Sequence, residues 1–340
     1  MRFREGDYIE NREGVVFDVK GLVHPPDRVI AFIRYFSDPK GERKRDGKLY
    51  GKVYSLSERF ALLKESFPSY LVHDLVFDET LCEVPVNEVK RHYTPIAKLK
   101  QMRSSKNLDE LEDLALQCAE QLKTGASIPW SAIGVSGSLM VGLHTESSDI
   151  DIVVYGSDNC KRVYSMLKDV LKNKGSSFKA YDRRELRRLF DFRSKDTHVS
   201  FEDFVRTEAR KVLQGKFMRM DYFIRCVKDQ AEVQEGYGDV RYKNVGYARI
   251  RAVIADVFEA VFTPCTYKIE NTRVIDGTRL EPITEIVSFR GRFCEQASEG
   301  EIVEAQGKVE CVKNLRASRE HFRLLLGNKP SDFMIPAAHS

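Results

Sequence analysis

The chain has 340 residues, of which 55 are Lys or Arg and 51 are Asp or Glu, giving a formal net charge of +4. This length predicts two or three domains, and the nearly balanced charge excludes the strongly basic footprint of a dedicated nucleic-acid-binding protein. No apolar signal segment opens the chain, and no apolar run approaches about 18 residues, so we expect a cytoplasmic protein without membrane association. The seven scattered cysteines include no C-x-x-C pair, which argues against structural zinc and a disulfide framework.

Residues 1–105 are predicted to form a β-rich mixed domain. Apolar and β-branched runs at 14–19 and 28–36 flank a turn-like segment at 24–27 and predict strands. A polar loop is expected from Ser37 to Gly47. Ser55 and Glu58 have the spacing of a capping box, so a helix is predicted to begin there and to end at Pro68.

Residues 106–235 combine helical and strand patterns. Apolar residues recur every three or four positions between Asn107 and Leu122, which predicts an amphipathic helix. An apolar strand at 132–135 meets Gly137-Ser138, and a polar loop leads to a second strand at 149–154. A further helical pattern runs from Lys161 to Leu171. The order helix, strand, turn, strand, helix is the expected minimal core.

The second strand carries two aspartates, Asp149 and Asp151, among Ile and Val residues. Side chains two positions apart lie on the same face of a strand, and aspartate is unfavourable there without a compensating role. Paired carboxylates suit hard divalent cations, so we expect them to bind Mg²⁺, with Mn²⁺ as the alternative. Gly137 lets the backbone approach a phosphate, and Ser138 offers a hydroxyl at a helix start.

Gly137-Ser138 followed by Ser148-Asp149-Ile150-Asp151 resembles the signature of the DNA polymerase beta-like nucleotidyltransferase superfamily. The whole chain also resembles archaeal-type proteins known only as predicted nucleotidyltransferases. The resemblance implies an α+β fold, in which a polymerase beta-like nucleotidyltransferase core, a mixed sheet with helices, is flanked by β-rich N- and C-terminal domains. One departure is clear. Many small members carry Ala-Arg before the glycine matching Gly142, where this chain has Met140-Val141, so that arginine's phosphate contact must come from elsewhere.

The resemblance further implies a third carboxylate on a later strand, which completes the metal site and accepts the proton of the attacking hydroxyl. Asp221, in the strand-like sequence 215–227, is our candidate, and Asp203, Glu202 and Asp196 are the alternatives. The predicted catalytic and metal-binding residues are therefore Asp149, Asp151 and Asp221. The predicted nucleotide-binding residues are Gly137, Ser138 and Ser148.

Four arginines share one face of a helix predicted over 181–190: Arg183, Arg184, Arg187 and Arg188. This face could hold phosphates of the nucleotide or of an acceptor backbone, whereas an ordinary solvated helix surface is the alternative. A second helix is predicted from Ser200 to Leu213. Residues 236–340 change to short β-branched runs, which predict a β-rich, barrel-like C-terminal domain. Within it, Arg290-Gly291-Arg292-Phe293 interleaves cations with an aromatic residue as single-stranded nucleic-acid surfaces do, but an ordinary edge strand is the favoured prediction.

These patterns predict a metal-dependent nucleotidyltransferase. It would transfer a nucleoside monophosphate from a nucleoside triphosphate to an acceptor hydroxyl and release pyrophosphate, with RNA or another nucleic acid as a candidate acceptor. Two alternatives stay open at this point: transfer to a protein or small molecule, and a catalytically inactive module that binds nucleotide or nucleic acid. The sequence leaves the oligomeric state open.

Overall fold

A computed structural model describes residues 2–194 and 199–337. The chain forms two compact units. The first unit comprises Met1–His73, Thr80–Lys179 and Val212–Gln234, and the second comprises Asp74–Glu79, Ala180–Lys211 and Glu235–Ser340. The first hundred residues and the Asp-x-Asp region thus share one unit, and residues 180–211 belong to the other. The division into domains 1–105, 106–235 and 236–340 stays a prediction.

The N-terminal region forms an eight-stranded sheet and one helix. Its antiparallel pairings give the order β4-β5-β3-β2-β1-β8, with β7 paired to β3 and β6. The elements are β1 Tyr8–Asn11, β2 Val16–Val19, β3 Arg28–Ser37, β4 Arg43–Arg45, β5 Lys48–Lys52, α1 Leu56–Ser66, β6 Leu71–Asp74, β7 Glu79–Pro85 and β8 Val89–Tyr93. The predicted capping box is present, because Ser55 Oγ accepts from the Glu58 amide and the Glu58 carboxylate accepts from the Ser55 amide.

The expected order of helix, strand, turn, strand and helix is confirmed in the middle of the chain. A mixed five-stranded sheet has the order β11-β12-β13-β10-β9, in which β10 runs parallel to β13 and antiparallel to β9. The elements are α2 Pro95–Ser104, α3 Glu110–Gly125, β9 Ile133–Val135, α4 Gly137–Met140, β10 Ile150–Tyr155, α5 Ser157–Val170, β11 Phe178–Lys179, β12 Gln214–Phe217 and β13 Met220–Val227.

The segment at 215–227 differs from its prediction, because two strands replace the single one. Residues of β12 pair with β13 in an antiparallel hairpin, with Lys216 opposite Asp221. The chain turns at Met218, which has a φ of 52°. Sequence patterns place left-handed turns at Gly or Asn, so a turn at Met218 gives no local signal.

In its described residues, the second unit contains two α-helices and a six-stranded sheet. Its elements are α6 Arg183–Arg193, α7 Phe201–Glu208, β14 Val240–Asp256, β15 Cys265–Gly277, β16 Ile283–Ser288, β17 Ile302–Asn314, β18 Arg319–Leu326 and β19 Phe333–Pro336. The order β14-β15-β16-β18-β17 closes on itself, because β17 also pairs with β14. This closed ring confirms a β-rich C-terminal region. Gly291–Phe293 forms a short 3₁₀ helix with Phe293 buried, so the predicted edge strand there was wrong.

A compact apolar cluster joins the N-terminal sheet to the region around α4. It contains Tyr8, Val16, Tyr35, Tyr50, Met140, Val141 and Leu143. Met140 and Val141 are therefore core residues of the first unit. Throughout the described ranges, no helix is long and apolar enough to cross a membrane.

Candidate active site

Asp149 and Asp151 lie at the start of β10, between two partner strands. Asp149 immediately precedes the strand, and Asp151 is its second residue. Alternation along the strand puts both carboxylates on one face. In the parallel pairing with β13, Ile150 is opposite Tyr222, so the preceding residues Asp149 and Asp221 stand side by side at the strand ends.

The surroundings of the two aspartates disfavour their ionised forms. Desolvation by burial, followed by the charge of Asp151, raises the pKa of Asp149 to about 6, although the Asp149 side chain still reaches solvent. Desolvation likewise raises the pKa of Asp151. A bound cation stabilises a site of this kind, because it removes the mutual repulsion of the two carboxylates.

The Gly137 backbone packs directly against the Asp151 carboxylate. Its φ is 64°, and a Cβ at this position would lie 2.0 Å from Asp151 Oδ2. The turn is fixed on both sides, because the Ser136 amide donates to the Asp151 carbonyl at 2.8 Å and Ser136 Oγ donates to the Gly6 carbonyl at 2.7 Å. Only glycine fits here, since the position requires both a left-handed backbone and an empty side-chain volume.

Ser138 and Ser148 flank the loop that leads to Asp149, and both are buried. The Ser138 carbonyl accepts from the Leu143 amide at 2.9 Å, and Ser148 Oγ accepts from the Thr145 amide at 2.9 Å. These contacts shape the loop. Arg43 of β4 adds to them by donating to the Leu143 carbonyl at 2.5 Å and to Ser148 Oγ at 3.4 Å. The nucleotide-binding roles of Gly137, Ser138 and Ser148 stay predictions.

Asp221 has a cationic partner on the neighbouring strand. Its Oδ1 lies 2.8 Å from Lys216 Nζ, and its charge contributes to the raised pKa of Asp149. Among residues 2–194 and 199–337, no group of three or more His, Cys, Asp or Glu side chains has a geometry that could hold a metal ion. Mg²⁺ commonly takes only one or two protein carboxylates together with substrate phosphates, so the oxygen donors of Asp149 and Asp151 fit it. The role of Asp221 stays a prediction.

Two cations from the N-terminal sheet act on the same carboxylates, and no sequence pattern predicted this. The charges of Lys52, at the end of β5, and Arg34, in β3, partly offset the rise in the pKa values of Asp149 and Asp151. Roughly a hundred residues separate them from the aspartates along the chain. Only tertiary packing brings them together, and the isolated departure at Met140-Val141 was the one hint that cations come from another element.

The four arginines of α6 lie in the second unit. Arg183 pairs with Glu202 at 2.6 Å, and the Arg187 guanidinium lies 3.3 Å from the centre of the Phe201 ring, so both hold α6 against α7. Arg184 and Arg188 are exposed. Two alternative third carboxylates, Glu202 and Asp203, are on α7, and Asp196 lies outside the described residues. A phosphate- or acceptor-binding role for these arginines stays a prediction.

Comparison with known proteins decides the family. A family model described as "Nucleotidyltransferase domain" matches residues 118–219, which include Gly137, Asp149 and Asp151. An uncharacterized protein of Methanocaldococcus jannaschii is 31% identical over 342 residues, and the alignment covers 98% of each chain. The chain belongs to the polymerase beta-like nucleotidyltransferase family. No solved structure gives a significant match to it.

Membership in this family establishes a nucleotidyltransferase domain and implies nucleotide binding. The matched residues begin within α3 and end in the turn between β12 and β13, so Asp221 falls just beyond them. The family match therefore covers the turn at Gly137 and the paired aspartates, and the N-terminal sheet that packs against them lies outside it.

Proposed function

We propose that this protein transfers a nucleoside monophosphate from a nucleoside triphosphate to an acceptor hydroxyl in a metal-dependent reaction. One observation carries the proposal: Asp149 and Asp151 share a face of β10, have raised pKa values and adjoin the left-handed turn at Gly137. Carboxylates held in an environment that disfavours their charge are typical of functional sites.

In this reaction the acceptor oxygen forms a bond to the α-phosphorus, and the bond between the α-phosphorus and the bridging oxygen breaks. Pyrophosphate leaves with the electron pair, and Asp221 is the proposed acceptor of the hydroxyl proton. Asp149 and Asp151 would hold Mg²⁺ or Mn²⁺, which when bound neutralises charge on the phosphate oxygens. The backbone at Gly137 and Ser138 and the hydroxyl of Ser148 are the proposed contacts to the nucleotide.

The acceptor is the least constrained part of the proposal, and RNA is our first candidate. The test is transfer of label from each of the four α-labelled ribonucleoside triphosphates to total RNA, short DNA, small hydroxyl compounds or the protein itself, with MgCl₂ or MnCl₂. Label on RNA supports the proposal as stated. Label on the protein or on a small molecule would show that RNA is not the acceptor but would still support nucleotidyl transfer.

A non-catalytic nucleotide-binding protein is the second candidate. The ion pair between Asp221 and Lys216 favours it, because Asp221 Oδ1 lies 2.8 Å from Lys216 Nζ and is engaged there instead of facing an acceptor hydroxyl. Nucleotide binding measured by calorimetry without any pyrophosphate release would support this candidate and overturn the first.

A further inference from the structure

The N-terminal sheet carries three cations, Arg34 on β3, Arg43 on β4 and Lys52 on β5. Arg43 donates to Ser148 Oγ, in the residue before Asp149, at 3.4 Å, and its guanidinium lies 5.6 Å from the centre of the Tyr35 ring. Lys52 is opposite Tyr35 in the β3–β5 pairing, one residue along from Arg34, and its amine lies 4.8 Å from the centre of the Tyr54 ring. The Arg34 guanidinium lies 5.6 Å from the same ring. The two cations are thus held beside one aromatic side chain.

These three cations differ in how many hydrogen-bond partners the protein gives them. Arg43 is committed to the loop before Asp149 through the Leu143 carbonyl and Ser148 Oγ. Arg34 donates to the Val53 carbonyl at 3.3 Å, while its Nε is buried and has no hydrogen-bond partner in the part of the chain that the structure describes. Lys52 has neither an ion pair nor a side-chain hydrogen bond to any described residue.

Lys52 is therefore a partly buried ammonium group with unused donors. Burial, followed by the charges of Arg34 and Arg43, lowers the pKa of Lys52 to about 8, and the charges of Asp151 and Asp149 only partly offset this. Cations crowded together in this way are stabilised by a ligand with several negative charges. A polyanion would be repelled by Asp149 and Asp151 unless it brought a metal ion with it, as a nucleoside triphosphate does.

Helix α4 offers no cation of its own at this place. Met140 and Val141 are buried in the apolar cluster that joins α4 to the N-terminal sheet, and the Val141 carbonyl accepts from Arg45 at 3.1 Å. The sheet that covers these two residues is the same sheet that supplies Lys52 and Arg34. The N-terminal sheet therefore supplies both the cations and the apolar side chains that pack on Met140 and Val141.

We propose that the N-terminal sheet supplies the cationic side of the nucleotide site, and that Lys52 contacts the β- and γ-phosphates of the bound triphosphate. The inference rests on the proposed function, since it names the residue that binds the leaving pyrophosphate of that reaction. Arg34 would donate its unpartnered Nε–H to the same phosphates, and Arg43 keeps the loop before Asp149 in place.

The test is the affinity of Lys52→Met for nucleotides. Calorimetry with MgCl₂ would compare each of the four ribonucleoside triphosphates with the corresponding monophosphate, for the full-length protein. Loss of one charge-assisted hydrogen bond corresponds to a rise of about 10- to 100-fold in the Kd for the triphosphate. The Kd for the monophosphate stays unchanged, because it lacks the phosphates that Lys52 contacts. A merely structural role would weaken both ligands alike.

Lys48→Met is the matched control, because Lys48 is an exposed lysine on the same strand, and it should bind triphosphate as the unmodified protein does. Lys52→Arg keeps the charge and should recover most of the affinity, and Lys52→Gln, which removes the charge but keeps a polar side chain, serves as the test if Lys52→Met does not fold. An unchanged triphosphate Kd in Lys52→Met overturns the assignment of Lys52 alone. Failure of the unmodified protein to bind any triphosphate overturns the proposed function and this inference together.

Discussion

Asp149 and Asp151 are neighbouring carboxylates whose ionised forms are disfavoured by their surroundings. Asp151 occupies a strand position that an apolar residue would fill more favourably, and Asp149 immediately precedes the same strand. Desolvation opposes the charge of both. Sequence alternation was sufficient to identify this pair, because strand periodicity fixes the shared face. Their mutual repulsion and desolvation depend on the neighbouring strands and could not be read from the sequence.

The raised pKa of Asp149 predicts that Asp149→Asn has a higher Tm than the unmodified protein at pH 7.5 without divalent cations. The pKa in the folded state is about 6, above the ordinary value of about 4 in the unfolded chain. The folded state therefore binds more protons between these values, and stability falls as the pH rises from about 4 to 6. The asparagine variant lacks this loss.

The measurement is thermal unfolding in EDTA at a series of pH values from about 4.5 to 7.5. The Tm difference between Asp149→Asn and the unmodified protein should grow with pH and level off above about 6. Glu146→Gln is the control, because Glu146 is an exposed carboxylate in the preceding loop. A difference that stays constant with pH would show that the carboxylate is not disfavoured by its surroundings.

At the scale of elements, local signals predicted α1, α3, α5, α6 and α7 but missed α2 and the β12–β13 hairpin. Asp109 and Asp182 each cap a helix together with a glutamate three residues later, a pattern that can be read directly from the sequence. The β12–β13 hairpin was missed because its turn uses Met218 in a left-handed conformation. A turn without Gly, Asn or Pro is fixed by the pairing of the strands on either side. A single sequence does not show which strands pair.

The turn between β9 and α4 gives the element-scale prediction: Gly137→Ala should lose nucleotidyl transfer and stability together. A left-handed alanine costs about 1–2 kcal/mol by itself, and the new Cβ would displace the Asp151 carboxylate from its position. Gly47→Ala isolates the backbone cost, because Gly47 has a φ of 77° with no atom within 4 Å of an added Cβ.

Denaturant unfolding and label transfer would be measured for both glycine variants. Gly47→Ala should lose only the backbone contribution and keep its activity, whereas Gly137→Ala should lose more stability and nearly all activity. Equal losses in the two variants would mean that the contact between Gly137 and Asp151 has no functional consequence.

For the whole molecule, the N-terminal sheet and the nucleotidyltransferase core behave as parts of one unit. Glu5 is fully buried and pairs with Arg225 of β13, and Ser136 Oγ donates to the Gly6 carbonyl. The sequence predicted β structure in the first hundred residues and a separate core after them. Their union depends on contacts between residues more than a hundred positions apart, for which neither periodicity nor motifs give a signal.

Removing the Glu5 carboxylate should therefore destabilise the core as well as the N-terminal sheet. Glu5→Gln leaves Arg225 and Lys20 without their shared buried partner, which predicts a loss of about 3 kcal/mol in the free energy of unfolding. Hydrogen exchange should become faster in β10 and β13 as well as in β1. Glu88→Gln, which removes an exposed pair with Arg12, should cost less than about 1 kcal/mol. Faster exchange confined to β1 would show that the two regions unfold separately.

The role of Asp149 and Asp151 in nucleotidyl transfer would be tested by measuring label transfer by Asp149→Ala and Asp151→Ala beside the unmodified protein. Each reaction would contain α-labelled triphosphate, MgCl₂ and the acceptor labelled most strongly by the unmodified protein. Each substitution should lower the rate by a factor on the order of 1,000 or more, with little change in the circular dichroism spectrum. Transfer by the Asp149→Ala protein at a rate comparable to that of the unmodified protein would contradict a role of this carboxylate in the reaction.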